Sequence, residues 1–281
     1  MKEPSLTVIM TVYNSAEYIR RALDSLLKQT NKNFKLLIIN DGSQDATVKI
    51  AEEYRSKFSY FKLVSEENSG ISTARNLGLK LVDTPYFVFH DGDDWTDPGY
   101  TDYFIQAFKQ HPDVDLVCCG YFIDSIRIHS RPISKPMKGV LDKWHAYLKI
   151  TGTATSPVKG YTWNKAYKTQ KVRQNNLRFM DGLNFMEDQI FNIDYVAETG
   201  NVYFDSVPLY HYWQRKDSAV HSFSFKMIGD MIKINYLVWT KIFKSIFHEK
   251  NKKRISYKKN EEYFLDKVYM NKGAVKDDHQ S

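Results

Sequence analysis

The sequence predicts an α/β fold, a mostly parallel sheet flanked by helices, followed by a helical, basic C-terminal extension. Three observations predict it. Apolar, β-branched runs alternate with stretches of helical period through the first hundred residues. The strand runs end on polar turns rich in Asn, Asp, Gly and Ser. Positive charge is gathered at the far end of the chain. Residues 226–259 carry ten Lys/Arg against two Asp/Glu, so +8 lies there and the rest of a chain of net charge +7 stands at −1.

The elements follow in order. Leu6-Thr7-Val8-Ile9-Met10-Thr11-Val12 lacks a polar face and reads as a strand buried on both sides. Asn14-Ser15-Ala16-Glu17 has the capping-box form, and Ala16, Ile19, Leu23, Leu26 and Leu27 continue at helical spacing. Lys35–Asn40 is a second strand. Ser43 and Asp45 open a helix through Ile50, Ala51 and Tyr54. Phe61–Val64 is a short third strand, Ile71, Ala74, Leu77 and Leu81 mark a third helix, and Tyr86–His90 is a fourth strand. This βαβαβαβ order requires crossover connections and so a parallel sheet with helices on both faces. Beyond it the pattern loosens. Residues 120–160 read as strands and loops with a helix around 140–150, and 161–215 hold short motifs. Residues 225–247 form one long helical pattern that gathers Ile228, Met231, Ile232, Asn235, Val238, Trp239, Ile242, Phe243 and Ile246 on a face. Residues 265–281 are expected to fray.

A chain of 281 residues with 42% hydrophobic content suits one large domain, or a domain with an appendage. The expected division is one domain over 1–220, in halves 1–100 and 101–220, then an extension over 221–281. Cys118 and Cys119 are adjacent, which gives poor disulfide geometry, and sit in an apolar run, so both are expected as buried strand thiols. Few cysteines, no signal-peptide core and no apolar run long enough to span a bilayer lead to a cytoplasmic expectation.

Ligands of open α/β sheets bind beyond the carboxyl ends of the strands. Three groups fall there: Thr11-Val12-Tyr13-Asn14, Asn40-Asp41-Gly42-Ser43 and Asp91-Gly92-Asp93-Asp94. The first strand is not followed by G-x-G-x-x-G, and no G-x-x-x-x-G-K-[ST] occurs, so dinucleotide and P-loop chemistry lose their main support. Three carboxylates within four residues repel one another. A divalent cation relieves that and leaves positions open for phosphate oxygens, while a solvated acidic turn is the alternative reading.

These four segments resemble the family 2, GT-A-fold glycosyltransferases: Thr11-Val12-Tyr13-Asn14, Asn40-Asp41-Gly42-Ser43-x-Asp45-x-Thr47, Asn68-Ser69-Gly70-x-Ser72-x-Ala74-Arg75-Asn76 and Asp91-Gly92-Asp93-Asp94 stand in that order and spacing. The likeness continues loosely through Trp163-Asn164-Lys165-x-Tyr167 and Glu187-Asp188-x-x-Phe191 to about residue 220. One departure is Thr11, where the family usually carries Pro. The resemblance implies an inverting transfer of a hexose or N-acetylhexosamine from a nucleotide sugar, UDP the usual form, to a glycan acceptor. In the family's commonest use that acceptor is a bacterial surface polysaccharide on a lipid carrier.

It also implies roles. Thr11, Tyr13 and Asn14 line the nucleotide site, Asp41 accepts a hydrogen bond from the base and Asp91 lies near the ribose. Asp93 ligates Mn²⁺ or Mg²⁺, and Asp94 lies near a sugar. Arg75 either sits by the nucleotide or forms a structural ion pair with a strand-end aspartate. Asp188, with Glu187 beside it to raise its pKa or exchange roles with it, deprotonates the acceptor hydroxyl, and a helix-dipole pair is the alternative. In Tyr210-His211-Tyr212-Trp213-Gln214-Arg215, His211 is a metal ligand or acceptor contact and Arg215 a phosphate contact. Trp163 stacks on a sugar or packs in the core.

The basic extension either lies on an anionic leaflet, at the cytoplasmic face of the inner membrane, or is a packed helix with a solvated tail. No nucleic-acid module surrounds the patch, so nucleic acid is not an expected partner. The rival readings are a nucleotidyltransferase, which lacks its Gly-rich signature here, and a non-catalytic sugar-binding relative.

Overall fold

The computed structural model describes residues 3–125, 131–132, 137–152, 158–183, 185–214 and 233–247, with backbone alone at 131–132. The elements are β1 (Leu6–Val12), α1 (Ile19–Leu27), β2 (Phe34–Asp41), α2 (Thr47–Glu52), β3 (Phe61–Glu66), α3 (Ile71–Leu81), β4 (Tyr86–Asp91), β5 (Trp95–Thr96) and α4 (Tyr100–Gln110). There follow β6 (Val114–Asp124), β7 (Arg131–Pro132), β8 (Lys138–Leu141), α5 (Lys143–Ile150), β9 (Lys165–Lys168), α6 (Thr169–Gln174), α7 (Glu187–Ala197) and β10 (Asn201–Trp213).

One ten-stranded sheet runs β3-β2-β1-β4-β9-β6-β10-β5, with β7 paired to β6 and β8 to β10 off this path. Its first half is parallel throughout, as the crossover argument requires. All seven residues of β1 are buried, because both faces of the strand are covered. Leu6, Val8, Met10 and Val12 point one way, into a core shared with Ile19, Ala22, Leu23 and Leu26 of α1. Ile9 points the other way, against α3, so closely that a Cβ on Gly78 would stand 2.4 Å from its Cγ2.

The second half is mixed. β9 lies antiparallel to both β4 and β6 and so stitches the halves together. β10 is thirteen residues long, where the sequence reads only as short motifs. Its pairing with β6 shifts register between Phe204 and Pro208, and this break disguises the strand. Cys118 and Cys119 are buried free thiols on β6, as expected, and burial pushes Cys118 up to about 11.

The first helix differs from its expectation. It starts at Ile19, and the Asn14 side chain does not cap it. Asn14 takes a left-handed conformation (φ 45°) and its Oδ1 accepts from the Gln44 amide at 2.8 Å. The neighbouring amides are satisfied from across the sheet, Ser15 N–H by Thr47 Oγ1 and Ala16 N–H by Asp45 Oδ2. A local cap is replaced by partners about thirty residues away.

The chain forms two compact units, Met1–Ile234 and Asn235–Ser281. The expected division after residue 220 lies outside the described residues. Residues 233–247 are helical. The part of the expected helix over 225–232 lies outside the described residues, and the expected apolar face is split in the rest: Val238 and Ile242 are buried, together with Ile234 from outside that face, whereas Trp239 and Phe243 are exposed along with Tyr236 and Phe247.

Candidate active site

Parallel register sets the ends of β1, β2 and β4 side by side, with Thr11 opposite Asp91 and Val12 opposite Asn40. The turn after β2 is tight. Gly42 has φ +70°, and a Cβ there would stand 2.7 Å from the Asn68 nitrogen, so the turn lies against 68–70. Asp41 is buried, and its two oxygens accept from Ser69 N–H at 2.7 Å and Gly70 N–H at 3.0 Å. It thereby fixes the approach to α3. A carboxylate has about four acceptor sites, so these two bonds leave acceptor capacity for a ligand. Thr11 is buried in the strand end, whereas Tyr13 and Asn14 are exposed at its rim.

Arg75 joins the two halves. It stands on α3 with its side chain 4% exposed, and it reaches three carboxylates. Nη2 donates to Asp91 Oδ1 at 3.3 Å, and Nη1 to Glu187 Oε1 at 3.0 Å and to Asp188 Oδ1. Burial alone lowers a guanidinium's pKa; Asp188, Asp91 and Glu187 more than reverse this, so it stays charged. The ion-pair alternative for Arg75 is thus present, with the strand-end Asp91 among its partners. Glu187 and Asp188 occupy the first turn of α7, a favourable place for negative charge. Asp188 Oδ2 also accepts from Thr162 N–H and Oγ1–H, both at 3.2 Å. Burial raises the Asp188 carboxyl most. Arg75 opposes this and the negative charges of Glu187 and Asp91 add to it, leaving the group at about 7. A carboxyl poised near neutrality, with its partners held, is equipped to take and release a proton.

The acidic cluster divides. Asp91 faces Arg75. Asp94 is 1% exposed, and its oxygens accept from Tyr210 O–H and Trp213 N–H, both at 2.7 Å. It anchors β10 behind the turn. Asp93 is half-buried, and its backbone carbonyl accepts from Arg21 Nη2 at 2.8 Å. Arg21 is itself stacked over Trp95 at 3.8 Å and Trp213 at 4.7 Å.

The donor set bears on a metal. Among the described residues no three His, Cys, Asp or Glu side chains group as a metal cage. Magnesium-like ions are commonly held by one or two carboxylates plus substrate phosphates, and Asp93 fits that lighter pattern. The charge fits as well. Asp91, Glu187 and Asp188 surround one guanidinium, so an arriving diphosphate meets excess negative charge that a divalent ion would offset.

His211 is held by protein groups. Nδ1 lies 2.8 Å from Asp124 Oδ2, Nε2 lies 3.7 Å from Asp97 Oδ1, and the ring is stacked between Trp95 and Phe122. Trp163 is 2% exposed and packs face to face with Tyr161 and Tyr210, the packing alternative. Arg215 lies outside the described residues. Sequence reading assigned no role to Arg21, Thr162, Lys165 or Asn192. The signal for the last was legible: a polar residue at 192 amid Ile190, Phe191 and Ile193, four positions after Asp188 on one helix face.

Nucleotide-type strand ends facing an acidic helix start across one sheet define a GT-A-like α/β fold. The pattern described as "Glycosyl transferase family 2" matches residues 7–185, more than half of the chain. EpsH of Bacillus subtilis, named as a glycosyltransferase, is 31% identical over 232 residues, covering 81% of this chain and 66% of its own length. The chain belongs to glycosyltransferase family 2. It is also similar to a teichoic acid poly(glycerol phosphate) polymerase of Staphylococcus epidermidis, 32% identical over 68% of this chain and 26% of that protein. Among solved structures, S. aureus TarS 1–349 in complex with UDP-GlcNAc has a TM-score of 0.71 at 22% identity, covering 84% of this chain and 66% of TarS 1–349. The chain thus spans slightly under two thirds of EpsH. No helix among the described residues is long and apolar enough to cross a membrane.

Proposed function

We propose that the protein transfers a hexose or N-acetylhexosamine from a nucleotide sugar, UDP the favoured form, to a glycan acceptor with inversion at the anomeric carbon. The observation that carries this reading is Arg75, which ties Asp91 at a strand end to Glu187 and Asp188 at the start of α7. Asp188 accepts the acceptor's hydroxyl proton, and the freed oxygen attacks the anomeric carbon. The bond to the diphosphate oxygen breaks on the opposite face, and its electrons leave with the nucleoside diphosphate. One base and one in-line displacement invert the centre. Arg75 keeps Asp188 oriented and Asp41 faces the base. A divalent ion held at Asp93, Mn²⁺ or Mg²⁺, supplies charge stabilisation to the leaving diphosphate. The complex of TarS with UDP-GlcNAc and the name of the teichoic acid polymerase support a nucleotide-linked donor and a cell-surface polymer as product class.

The same reading sets the enzyme at the cytoplasmic face of a membrane, where a lipid-linked acceptor is met. Its support is the helix over 233–247, where the exposed Tyr236, Trp239, Phe243 and Phe247 recur at spacings of three and four, next to Lys233 and Lys244. Each Lys or Arg near an anionic leaflet contributes about 1 kcal/mol. Co-sedimentation with anionic vesicles should weaken with salt and fall in a truncation after residue 248. Recovery that ignores lipid charge and salt refutes the membrane part alone.

The donor is tested by thermal shift of the full chain against nucleotide sugars with and without Mn²⁺. A UDP-sugar should raise Tm, and more so with the metal, because a ligand that binds only the folded state stabilises it. No stabilisation by any nucleotide sugar, under either condition, overturns the reading.

A further inference from the structure

The first residue of β9 is a buried cation that the transfer chemistry does not use, turned back onto the loop before the strand. Lys165 is fully buried. Its ammonium donates to the backbone carbonyls of Val158, Lys159 and Tyr161 and to Asn164 Oδ1, at 2.5–2.8 Å. Four oxygens hold this charge, and burial lowers its pKa to about 8. The carbonyl these contacts pass over belongs to Gly160, and it accepts from Asn192 Nδ2 at 2.8 Å. The same amide nitrogen reaches Tyr161 O at 3.2 Å and Asp188 O at 2.9 Å, while Asn192 Oδ1 accepts from Tyr167 O–H. The carbonyls of 158–161 are therefore all engaged by two buried side chains. The next residue, Thr162, is itself buried, and it aims both its N–H and its hydroxyl at Asp188 Oδ2.

We infer that Thr162, Lys165 and Asn192 are positioning residues: Lys165 and Asn192 fold the 158–162 loop onto α7 so that Thr162 presents two donors to one oxygen of Asp188 while Arg75 holds the other. The inference rests on the role proposed for Asp188 only in calling its outcome catalytic; the contact itself stands on the geometry. Thr162 prevents the carboxyl from rotating and stabilises its ionised form. The charged and titratable groups that face Asp188 are Arg75 from α3, Glu187 beside it, Asp91 from β4, Tyr161 from the loop, and Lys165 and Tyr167 from β9.

The test is the ionisation of Asp188, read by ¹³C NMR of the full chain labelled at aspartate Cγ. Its resonance is identified by its loss in Asp188→Asn. Thr162→Val keeps the side-chain shape and removes the hydroxyl donor, so the midpoint should rise by about one pH unit. Thr162→Ser keeps the donor and should restore the original midpoint. Lys165→Met frees the loop and should raise the midpoint at least as far. An unchanged midpoint in Thr162→Val overturns the inference, as does an equal rise in Thr162→Ser. If Lys165→Met fails to fold, the Thr162 pair still decides. The readout is a proton rather than turnover. A general-base role that fails in activity assays of Asp188→Asn is thus told apart from a positioning role that fails here.

Discussion

The two halves of the sheet hold their acidic groups by different physics. At the end of β2, Asp41 is held by two backbone amides contributed by the next loop but one. At the start of α7, Asp188 is held by a guanidinium from α3 and a threonine before β9, across separations of 113 and 26 residues. The first arrangement follows from a parallel sheet, whose strand ends and following loops converge at one edge. The second exists only because antiparallel β9 brings the second half against β4. The difference teaches that this fold converges its strand ends through its strand order, whereas the buried carboxyl at the start of α7 depends on polar contacts made by distant side chains.

Four changes test that contrast, from the largest effect to the smallest. Asp188→Asn should lower turnover by roughly 10²–10⁴-fold, as loss of a general base does, while donor binding by thermal shift persists. In the parent protein kcat/KM should fall as pH drops through about 7, because the base must be ionised and Asp188 is raised to that value. A flat profile from pH 5 to 8 would separate catalysis from this group. Arg75→Met leaves three carboxylates without their shared cation and should cost about 3–5 kcal/mol in denaturant unfolding. Asp188 sets the sign with pH: its carboxyl, raised to about 7, neutralises as pH falls and no longer needs the guanidinium, so the gap to the parent protein should narrow in acid. A gap that widens there contradicts the account of Arg75.

Asp93→Asn should leave Tm without ligand within about a degree, yet abolish the extra stabilisation that Mn²⁺ gives to a bound UDP-sugar. Persistence of that increment moves the metal elsewhere. At the small end, Asp83→Asn breaks the exposed pair with Lys35 at 2.7 Å, at the amino ends of β2 and β4 and away from the candidate site. It should cost about 0–1 kcal/mol, since solvent screens such pairs. A loss comparable with that of Arg75→Met would erase the distinction between buried and exposed charge drawn here.

Legibility tracked the range of the interactions. β1, β2 and β4 are readable because an apolar run buried on both faces needs no partner to be recognised. β10 is not, since Ser206, Val207 and Pro208 interrupt it, and its pairing with β6 supplies the continuity. The Asn14–Glu17 capping box fails for the same reason in reverse: local chemistry is present, but Ser43, Gln44, Asp45 and Thr47 from the next loop engage those groups first. Residue type marks Asp94 and His211 as candidates but does not show what holds them. Their partners, Tyr210 and Trp213 for one and Asp124 for the other, lie too far along the chain for spacing to reveal.

By itself, then, the sequence determined the order of strands and helices in the first half, the buried thiols at Cys118 and Cys119, and the residue types that could carry transfer chemistry. Periodicity and turn composition encode all of these within a window of a few residues. Only the tertiary structure decided that Arg75 bridges Asp91 to Glu187 and Asp188, that Asp94 faces inward, and that Lys165 gathers four oxygens behind Thr162. The reason is physical: a buried charge is tolerable only with partners, and those partners come from whichever distant segments the packed sheet brings within hydrogen-bond reach.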